Sequence, residues 1–343
     1  MIISRIETEQ YIYFNLHAEQ IITSNYLVDD TTNIGIFEER LFLSTFERVV
    51  KSLSEISKSK AIVLDFKFIT TCQPNFSDRI VDLRKNGYTI IFLNISQKLV
   101  NKESGIKAIQ NSNNILTEGE ENYSRYYFFE EKKDIQNVEI DTSTLFKDYF
   151  KEIIKKYITI NHNRPHSSSF VYLNSYVDLK RFMSFEKELT LYSLYRLALK
   201  MKEEWKLTQN TKNKTLTCLS LNSSYIVSIL SIFLKLDVLI FDKIGPINKL
   251  YSRPHKIIDV EKEYIVVSDM VCLGTEVKIV KNILNFFDAN YLGHVALIKT
   301  ETLGKGDIEK PDTTIAVFSI NSENNKELGC GIYTDLQHIN TDK

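Results

Sequence analysis

Between Thr215 and Ile320 the chain repeats one pattern: a short apolar run, then a stretch with apolar residues at helical spacing. Thr215–Leu219, Asp237–Phe241 (DVLIF), Glu263–Val267 (EYIVV), Leu292–Ile298 and Thr314–Ile320 (TIAVFSI) read as strands. Ser223–Leu234 and Glu276–Phe287 read as helices between them, and upstream Ser168–Leu173 reads as a strand and Glu186–Lys206 as a helix. Strands that alternate with helices of ten or more residues predict a parallel sheet with crossover helices. Such sheets hold ligands outside the carboxyl ends of their strands. The segments after Leu219, Phe241 and Val267 are therefore the first places to look for a site.

Residues 1–140 carry an α/β pattern of their own. Ile2–Ile6 and Tyr11–Leu16 alternate apolar and polar residues, as strands do. Phe37–Glu55 has helical spacing, Ala61–Phe66 (AIVLDF) and Tyr88–Ile95 (YTIIFLNI) read as buried strands, and Phe76–Asn86 reads as a helix stopped by Gly87. Ser104–Asn111 reads as a further helix. Residues 112–142 are polar and acidic around Tyr126–Phe129 and read as the end of this domain plus linker. Leu145–Ile158 reads as an amphipathic connecting helix. His162-Asn-Arg-Pro-His166 closes it, since Pro165 disfavours helix in the residue before it. The expected division is 1–140, a connecting helix and linker over 141–166, and 167–343.

With 343 residues, 43% of them hydrophobic, each half can bury a core of its own. The formal net charge of −1 offers no electrostatic reason to expect nucleic acid or an anionic membrane. Cys72, Cys218, Cys272 and Cys330 form no CxxC pair, which argues against a zinc site or a disulfide framework. Lys235 and Asp237 interrupt the most apolar stretch, Tyr225–Phe241, so it is not read as a membrane span. The start carries no basic region followed by an apolar run, and the expectation is a cytoplasmic protein.

The segment Tyr264-Ile-Val-Val-Ser-Asp-Met-Val-Cys-Leu-Gly-Thr-Glu276 delivers an apolar strand to a Ser-Asp pair and then to a Gly-Thr turn that opens a helix. Amides at a helix N-terminus bind phosphate, Gly274 lets backbone approach a ligand, and a carboxylate at a strand end accepts from ribose hydroxyls. A plain strand-turn-helix with an Asp at the strand end fits the same residues. The expected ligand loop is Val266–Glu276.

This segment resembles the signature of the type I phosphoribosyltransferases, which has four apolar residues, two acids, two apolar residues and a Thr-rich loop containing Gly. Asp269, Gly274 and Thr275 match it, and Ser268, Cys272, Leu273 and Glu276 depart from it. Neighbouring elements keep the family's order. Cys218–Ser224 (CLSLNSS) stands where the pyrophosphate loop lies, and Phe241–Arg253 stands at the mobile loop that carries lysines in the orotate-type enzymes. Ser167–Asp178 resembles the entrance to the hood of those enzymes. The resemblance implies Asp269, Lys243 and Lys249 as catalytic residues. It implies Ser268, Cys272, Gly274, Thr275, Asn222, Ser223, Ser224 and Arg253 as ligand contacts, and Mg2+ held through Asp269.

The departures weigh on activity. Ser268 removes one of two ribose-binding carboxylates, Leu273 cannot donate, and the pyrophosphate loop contains no glycine. Glu276 either faces a bound phosphate or turns toward its own helix N-terminus, where an acid is favourable. The first placement costs roughly 3 kcal/mol at about 5 Å and an effective dielectric near 20. The leading expectation is a degenerate, regulatory domain that binds phosphoribosyl pyrophosphate or a nucleotide. An active Mg2+-dependent phosphoribosyltransferase is the alternative, and an interaction component of a bacterial stress or anti-phage system is the second.

In the first half, AIVLDFKFITTC followed by IVDLRKNGYTIIFLNIS resembles the STAS domain of anti-sigma-factor antagonists. That resemblance implies a protein partner for this half. It places Thr70, Thr71 and Cys72 where those families carry a phosphorylated Ser or Thr, although helix capping explains the threonines as well. A homodimer is a further expectation. His162 and His166 read as linker residues, His255 as part of a basic loop face, and His294 as a packed strand residue.

Overall fold

The structure is a computed structural model, and it describes residues 3–24, 39–53, 60–102, 115–120, 123–128, 140–160, 175–207, 213–241, 258–303, 314–321, 323, 325–330 and 332–333. The chain divides into two compact units, Met1–Phe146 and Lys147–Lys343.

The first unit runs β1 (Ile6–Glu7), β2 (Tyr11–Asn15), α1 (Leu16–Ser24), β3 (Arg40–Leu41), α2 (Leu43–Leu53), β4 (Ala61–Asp65), β5 (Thr71–Cys72), α3 (Phe76–Lys85), β6 (Ile90–Ile95), α4 (Gln97–Lys102), β7 (Ile115–Glu120) and β8 (Tyr123–Phe128). Its main sheet has the order β1-β2-β4-β6-β8-β7, with β2, β4 and β6 parallel and both flanks antiparallel. Strand alternation turns Ile12, Phe14, Ile62, Leu64, Ile90 and Phe92 to one face, where they share a core with Phe46, Val49, Phe76 and Ile80 of α2 and α3. The Phe46, Phe76, Phe66 and Phe92 rings meet edge to face at 4.8, 5.9 and 5.8 Å, the arrangement that aromatic quadrupoles favour. Past α3, Gly87 at φ 84 donates to the Arg84 carbonyl and Tyr88 to that of Leu83, a Schellman stop that only a residue tolerant of positive φ makes cheaply.

Four expectations change here. The polar stretch after 112 contains the hairpin β7–β8, which completes the sheet edge; its backbone pairing outweighs its polar composition. The helix expected from Phe37 starts at Leu43, because Arg40–Leu41 pairs in parallel with Thr71–Cys72. Thr70 and Thr71 therefore do not cap α3. Thr70 is exposed and donates to the Glu39 carboxylate at 3.2 Å, and the α3 N-cap is Asn75, without a side-chain cap bond. Helix α1, unforeseen in the sequence, follows directly on β2. The helix expected over Ser104–Asn111 lies outside the described residues.

The second unit begins within α5 (Thr142–Lys155) and continues β9 (Ile158–Ile160), β10 (Ser175–Val177), α6 (Leu179–Phe185), α7 (Lys187–Glu204), β11 (Lys214–Cys218), α8 (Leu221–Leu234), β12 (Asp237–Ile240), β13 (Glu263–Val271), α9 (Thr275–Phe286), β14 (Asn290–Thr300), β15 (Thr302–Leu303), β16 (Thr314–Ile320), α10 (Asn325–Leu328) and β17 (Ile332–Tyr333). The five-stranded sheet has the order β12-β11-β13-β14-β16 and is parallel throughout. Val277, Val280 and Leu284 of α9 share a core with Leu239, Tyr264, Val266 and Ala296 on one face. By alternation Ile265, Val267, Val295 and Leu297 point to the other face, where α7 and α8 pack. The residues 161–174, which include the expected boundary and the strand Ser168–Leu173, lie outside the described residues. The strand described nearby, β10, pairs antiparallel with β9.

Gly293 marks a tight point of the second unit. A Cβ there would stand 2.8 Å from the ring of Trp205. Gly293→Ala is expected to destabilise the unit by about 1–3 kcal/mol through overpacking. Trp205 is the only tryptophan, so a shift in its fluorescence together with an earlier melt checks this directly.

Candidate functional site

In the sheet order β12-β11-β13-β14-β16 the chain direction across the sheet reverses between β11 and β13. The helices that follow these strands, α8 and α9, leave on opposite faces. A crevice therefore opens at the carboxyl ends of β11 and β13, the switch point at which open parallel sheets take ligands.

From β11 the crevice receives Cys218, Ser220 and the first turn of α8. Ser220 is the N-cap: its Oγ accepts from the Ser223 amide at 3.2 Å and lies 2.7 Å from Ser223 Oγ. This capping starts the helix at Leu221, two residues before the expected start. From β13 the crevice receives Asp269. The strand runs to Val271 because its pairing with β14 continues through Met270↔Ile298 and Val271↔Lys299. The expected loop is thus mostly strand, and only Cys272–Gly274 forms the turn into α9.

The long strand decides which side chains face the crevice. Asp269 shares the α8 side with Val267, while Ser268 shares the α9 side with Val266. Asn222 donates from its side-chain amide to Asp269 Oδ2 at 2.8 Å, and the Asp269 amide donates to Ser223 Oγ at 3.1 Å. The Met270 amide donates to Asp269 Oδ1 at 2.9 Å. The segments expected as pyrophosphate loop and signature are thereby joined directly. Ser268 is 1% exposed and so presents almost no surface to a ligand. Ser224 is half-buried, and its hydroxyl returns to the Leu221 carbonyl at 2.7 Å. Gly274 has φ 68, the left-handed region, with open space where a Cβ would stand, so its requirement is conformational. Thr275 is exposed at the start of α9. Lys243, Lys249, Arg253 and His255 lie outside the described residues.

Glu276 and the cysteines set the electrostatics. Glu276 is half-buried; burial, and then the Asp269 charge, hold its carboxyl above the ordinary value. The acid therefore acts within the crevice in addition to sitting in the first turn of α9. Burial pushes the Cys218 thiol up to about 11, with Glu276 adding to it. Burial likewise pushes Cys272 up to about 12, with Cys330 and Asp269 contributing. Both thiols stay protonated near neutral pH and are poor nucleophiles. Because the folded pKa of Glu276 is raised, its contribution to stability is complete below the ordinary carboxylate range and is lost as pH rises through the raised value. Glu276→Gln is expected to flatten this dependence and to raise the neutral-pH melting temperature by about 2 °C, read from melts at pH 5 and pH 8.

Each Asp269 oxygen accepts one hydrogen bond, from the Asn222 side-chain amide and from the Met270 amide, and keeps a second lone pair. Among the described residues no group of three or more His, Cys, Asp or Glu could hold a metal ion. Ser220 and Cys218 lie in the expected pyrophosphate segment Cys218–Ser224 but were not singled out there as site residues. The Ser at the end of β11 was a legible N-cap signal, whereas nothing local marks the proximity of Cys218 to Glu276.

No protein-family model matches the chain, and no curated protein matches it. Among solved structures, orotate phosphoribosyltransferase from Aeropyrum pernix is 12% identical, covering 52% of this chain and 98% of its own, with a TM-score of 0.39. Adenine phosphoribosyltransferase from Thermoanaerobacter pseudethanolicus is 12% identical over 49% of this chain and 99% of its own, with a TM-score of 0.36. Orotate phosphoribosyltransferase from Mycobacterium tuberculosis is 12% identical over 54% of this chain and 98% of its own, also with a TM-score of 0.36. At these values the likeness carries no inference about ligand or reaction. No helix among the described residues is long and apolar enough to cross a membrane.

Proposed function

We propose that the second unit is a phosphoribosyltransferase-type domain that binds a nucleotide or phosphoribosyl pyrophosphate in a regulatory role, without the full transferase equipment. The observation that carries this reading is the junction at the switch point, where Asn222 and Ser223 of α8 hold Asp269 of β13 beside the Gly274 turn. Asp269 is the proposed ribose contact, with Thr275 and the α9 N-terminus beside it for an anionic group. The proposed contribution of Lys243, Lys249 and Arg253 is positive charge from the 242–257 segment. Two features favour binding over turnover: Ser268 is buried, and Glu276 brings an acid into the crevice.

The first unit is proposed as a STAS-like module for a protein partner. A phosphate on Thr70 would meet the Glu39 carboxylate, so a phospho-switch there works against like charge. Titration calorimetry with phosphoribosyl pyrophosphate and with nucleoside monophosphates tests the ligand reading, and no heat with any of them sinks it. Product formation from phosphoribosyl pyrophosphate and a panel of bases would instead establish the transferase alternative.

A further inference from the structure

Several lysines of the second unit are neutralised by a carboxylate. Lys151 and Lys155 of α5 both bond to Glu327, Lys214 pairs with Glu263 at 2.6 Å, and Lys262 pairs with Asp237 at 2.6 Å. Lys147 and Lys200 are a different case. Neither makes an ion pair among the described residues. They are brought instead to each other and to Arg196. Arg196 and Lys200 lie one turn apart on α7, which packs on β16. Lys200 Nζ donates to the Ala316 carbonyl of β16 at 2.8 Å. Ala316 and Phe318 share a face of that strand, and the Phe318 ring lies 5.1 Å from that of Phe150 on α5. Lys147 stands three residues before Phe150 on the same side of α5, so it reaches the same stretch of β16. Arg196 lies over the Tyr192 ring at 5.8 Å, which fixes its guanidinium. Lys200 remains exposed as a residue. Burial of its ammonium end, and then the charges of Arg196 and Lys147, hold it below the ordinary lysine value.

Strand β16 ends the five-stranded sheet. A lysine laid across a sheet edge blunts it against unwanted pairing, and that accounts for Lys200 alone. It gives no reason to set two more cations beside it, where each raises the cost of charging the others. A bound anion removes that cost. We infer that Lys147, Arg196 and Lys200 form a second anion site of this unit, which takes the di- or triphosphate group of a small molecule. Three positive charges call for a ligand that carries more than one negative charge, and a single carboxylate would leave most of the repulsion in place. Arginine adds a planar fork that matches phosphate oxygens in pairs. The Lys200 ammonium spends one of its three N–H groups on Ala316 and keeps two for a ligand. The site is separate from the crevice. In the sheet, β16 is three strands from β11, about 14 Å at about 4.8 Å per strand. Ala316 also lies in the amino-terminal half of β16, whereas the crevice opens at carboxyl ends. The inference uses neither Asp269 nor Glu276, so it stands or falls independently of the ligand proposed for the crevice.

Titration calorimetry of the full chain with inorganic tripolyphosphate, pyrophosphate and orthophosphate, probes that carry neither base nor ribose, tests this. Affinity is expected to fall in that order. Lys147→Gln, Arg196→Gln and Lys200→Gln are each expected to weaken tripolyphosphate binding by at least about tenfold, the loss of one charged hydrogen bond. Lys200→Arg keeps the charge and is expected to retain most of the binding. Lys262→Gln removes a lysine elsewhere in the unit and is expected to leave binding unchanged. Melting curves that match the native chain show that the exposed Lys147 position leaves the fold intact, so its variant reports on the site even where another variant melts early. No heat with tripolyphosphate up to about 1 mM at low ionic strength overturns the proposal. So does binding that the three site variants leave unchanged, or that Lys262→Gln weakens as much as they do, because the anion then sits elsewhere or feels only diffuse charge. Binding of an oligonucleotide without binding of tripolyphosphate likewise overturns it.

Discussion

Asp65→Ala is expected to cost the first unit about 3–5 kcal/mol, a large part of the stability of any domain. Asp65 ends β4 and is 3% exposed. Its carboxylate accepts from the Tyr13 hydroxyl at 2.6 Å, from the Asn94 side-chain amide at 2.9 Å and from the Lys67 backbone amide at 2.9 Å. Alanine leaves all three donors without an acceptor in a site that water does not reach, at roughly 1–3 kcal/mol for each group that finds no substitute. Asp65→Asn keeps an acceptor of the same shape and is expected to cost only about 1 kcal/mol. The pH dependence separates charge from shape. Burial holds the Asp65 carboxyl above its ordinary value, and the three donors oppose that shift without cancelling it. Its contribution to stability is therefore complete below the ordinary Asp range and is lost as pH rises through the raised value. Urea unfolding followed by circular dichroism should show the asparagine variant losing less stability than the native chain as pH rises. A cost of Asp65→Ala below about 1 kcal/mol would mean that this network is not holding the strand ends.

Asp269→Asn is expected to lower affinity for phosphoribosyl pyrophosphate or a nucleotide by about ten- to a hundredfold, or about 1.4–2.7 kcal/mol. The substitution leaves shape intact and removes the charge to which ribose hydroxyls donate. Asparagine can still bond to Asn222, so the melting temperature should move by no more than about 2 °C. Asp269→Ala is expected to do more. It abolishes the ligand contact and also releases the Asn222 amide that spans α8 and β13. Calorimetry on the three proteins measures both effects. Equal affinity in the native and asparagine proteins would remove Asp269 from the site, whatever the ligand proves to be.

The five parallel strands of the second unit were legible because each contains a short apolar run, and Thr314–Ile320 matches to the residue. Asn222, Ser223, Asp269 and Gly274 were also legible as candidates, each by its residue type at a strand end or helix start. Three features were not. The hairpin Ile115–Phe128 is held by ladder bonds to β6, and backbone pairing leaves little trace in a polar sequence. The length of β13 depends on pairing with β14, which is remote in the chain. Helix α1 runs on directly from β2: Asn15 ends the strand and at the same time caps the helix, its Oδ1 accepting from the His17 and Ala18 amides at 3.2 and 3.3 Å, so no turn separates the two.

The loop from Val266 to Glu276 shows how the two kinds of information divide. Its residue types alone determined that an acid, a glycine and a helix start follow one another at the end of a buried strand, because local chemistry needs only local order. The tertiary structure decided which of those residues can act. Pairing with β14 carries the strand to Val271, and the two-residue period of a strand then turns Asp269 toward α8 and Ser268 into the core. Whether Glu276 lies near Asp269 depends likewise on where α9 packs, and packing is a property of distant residues brought together.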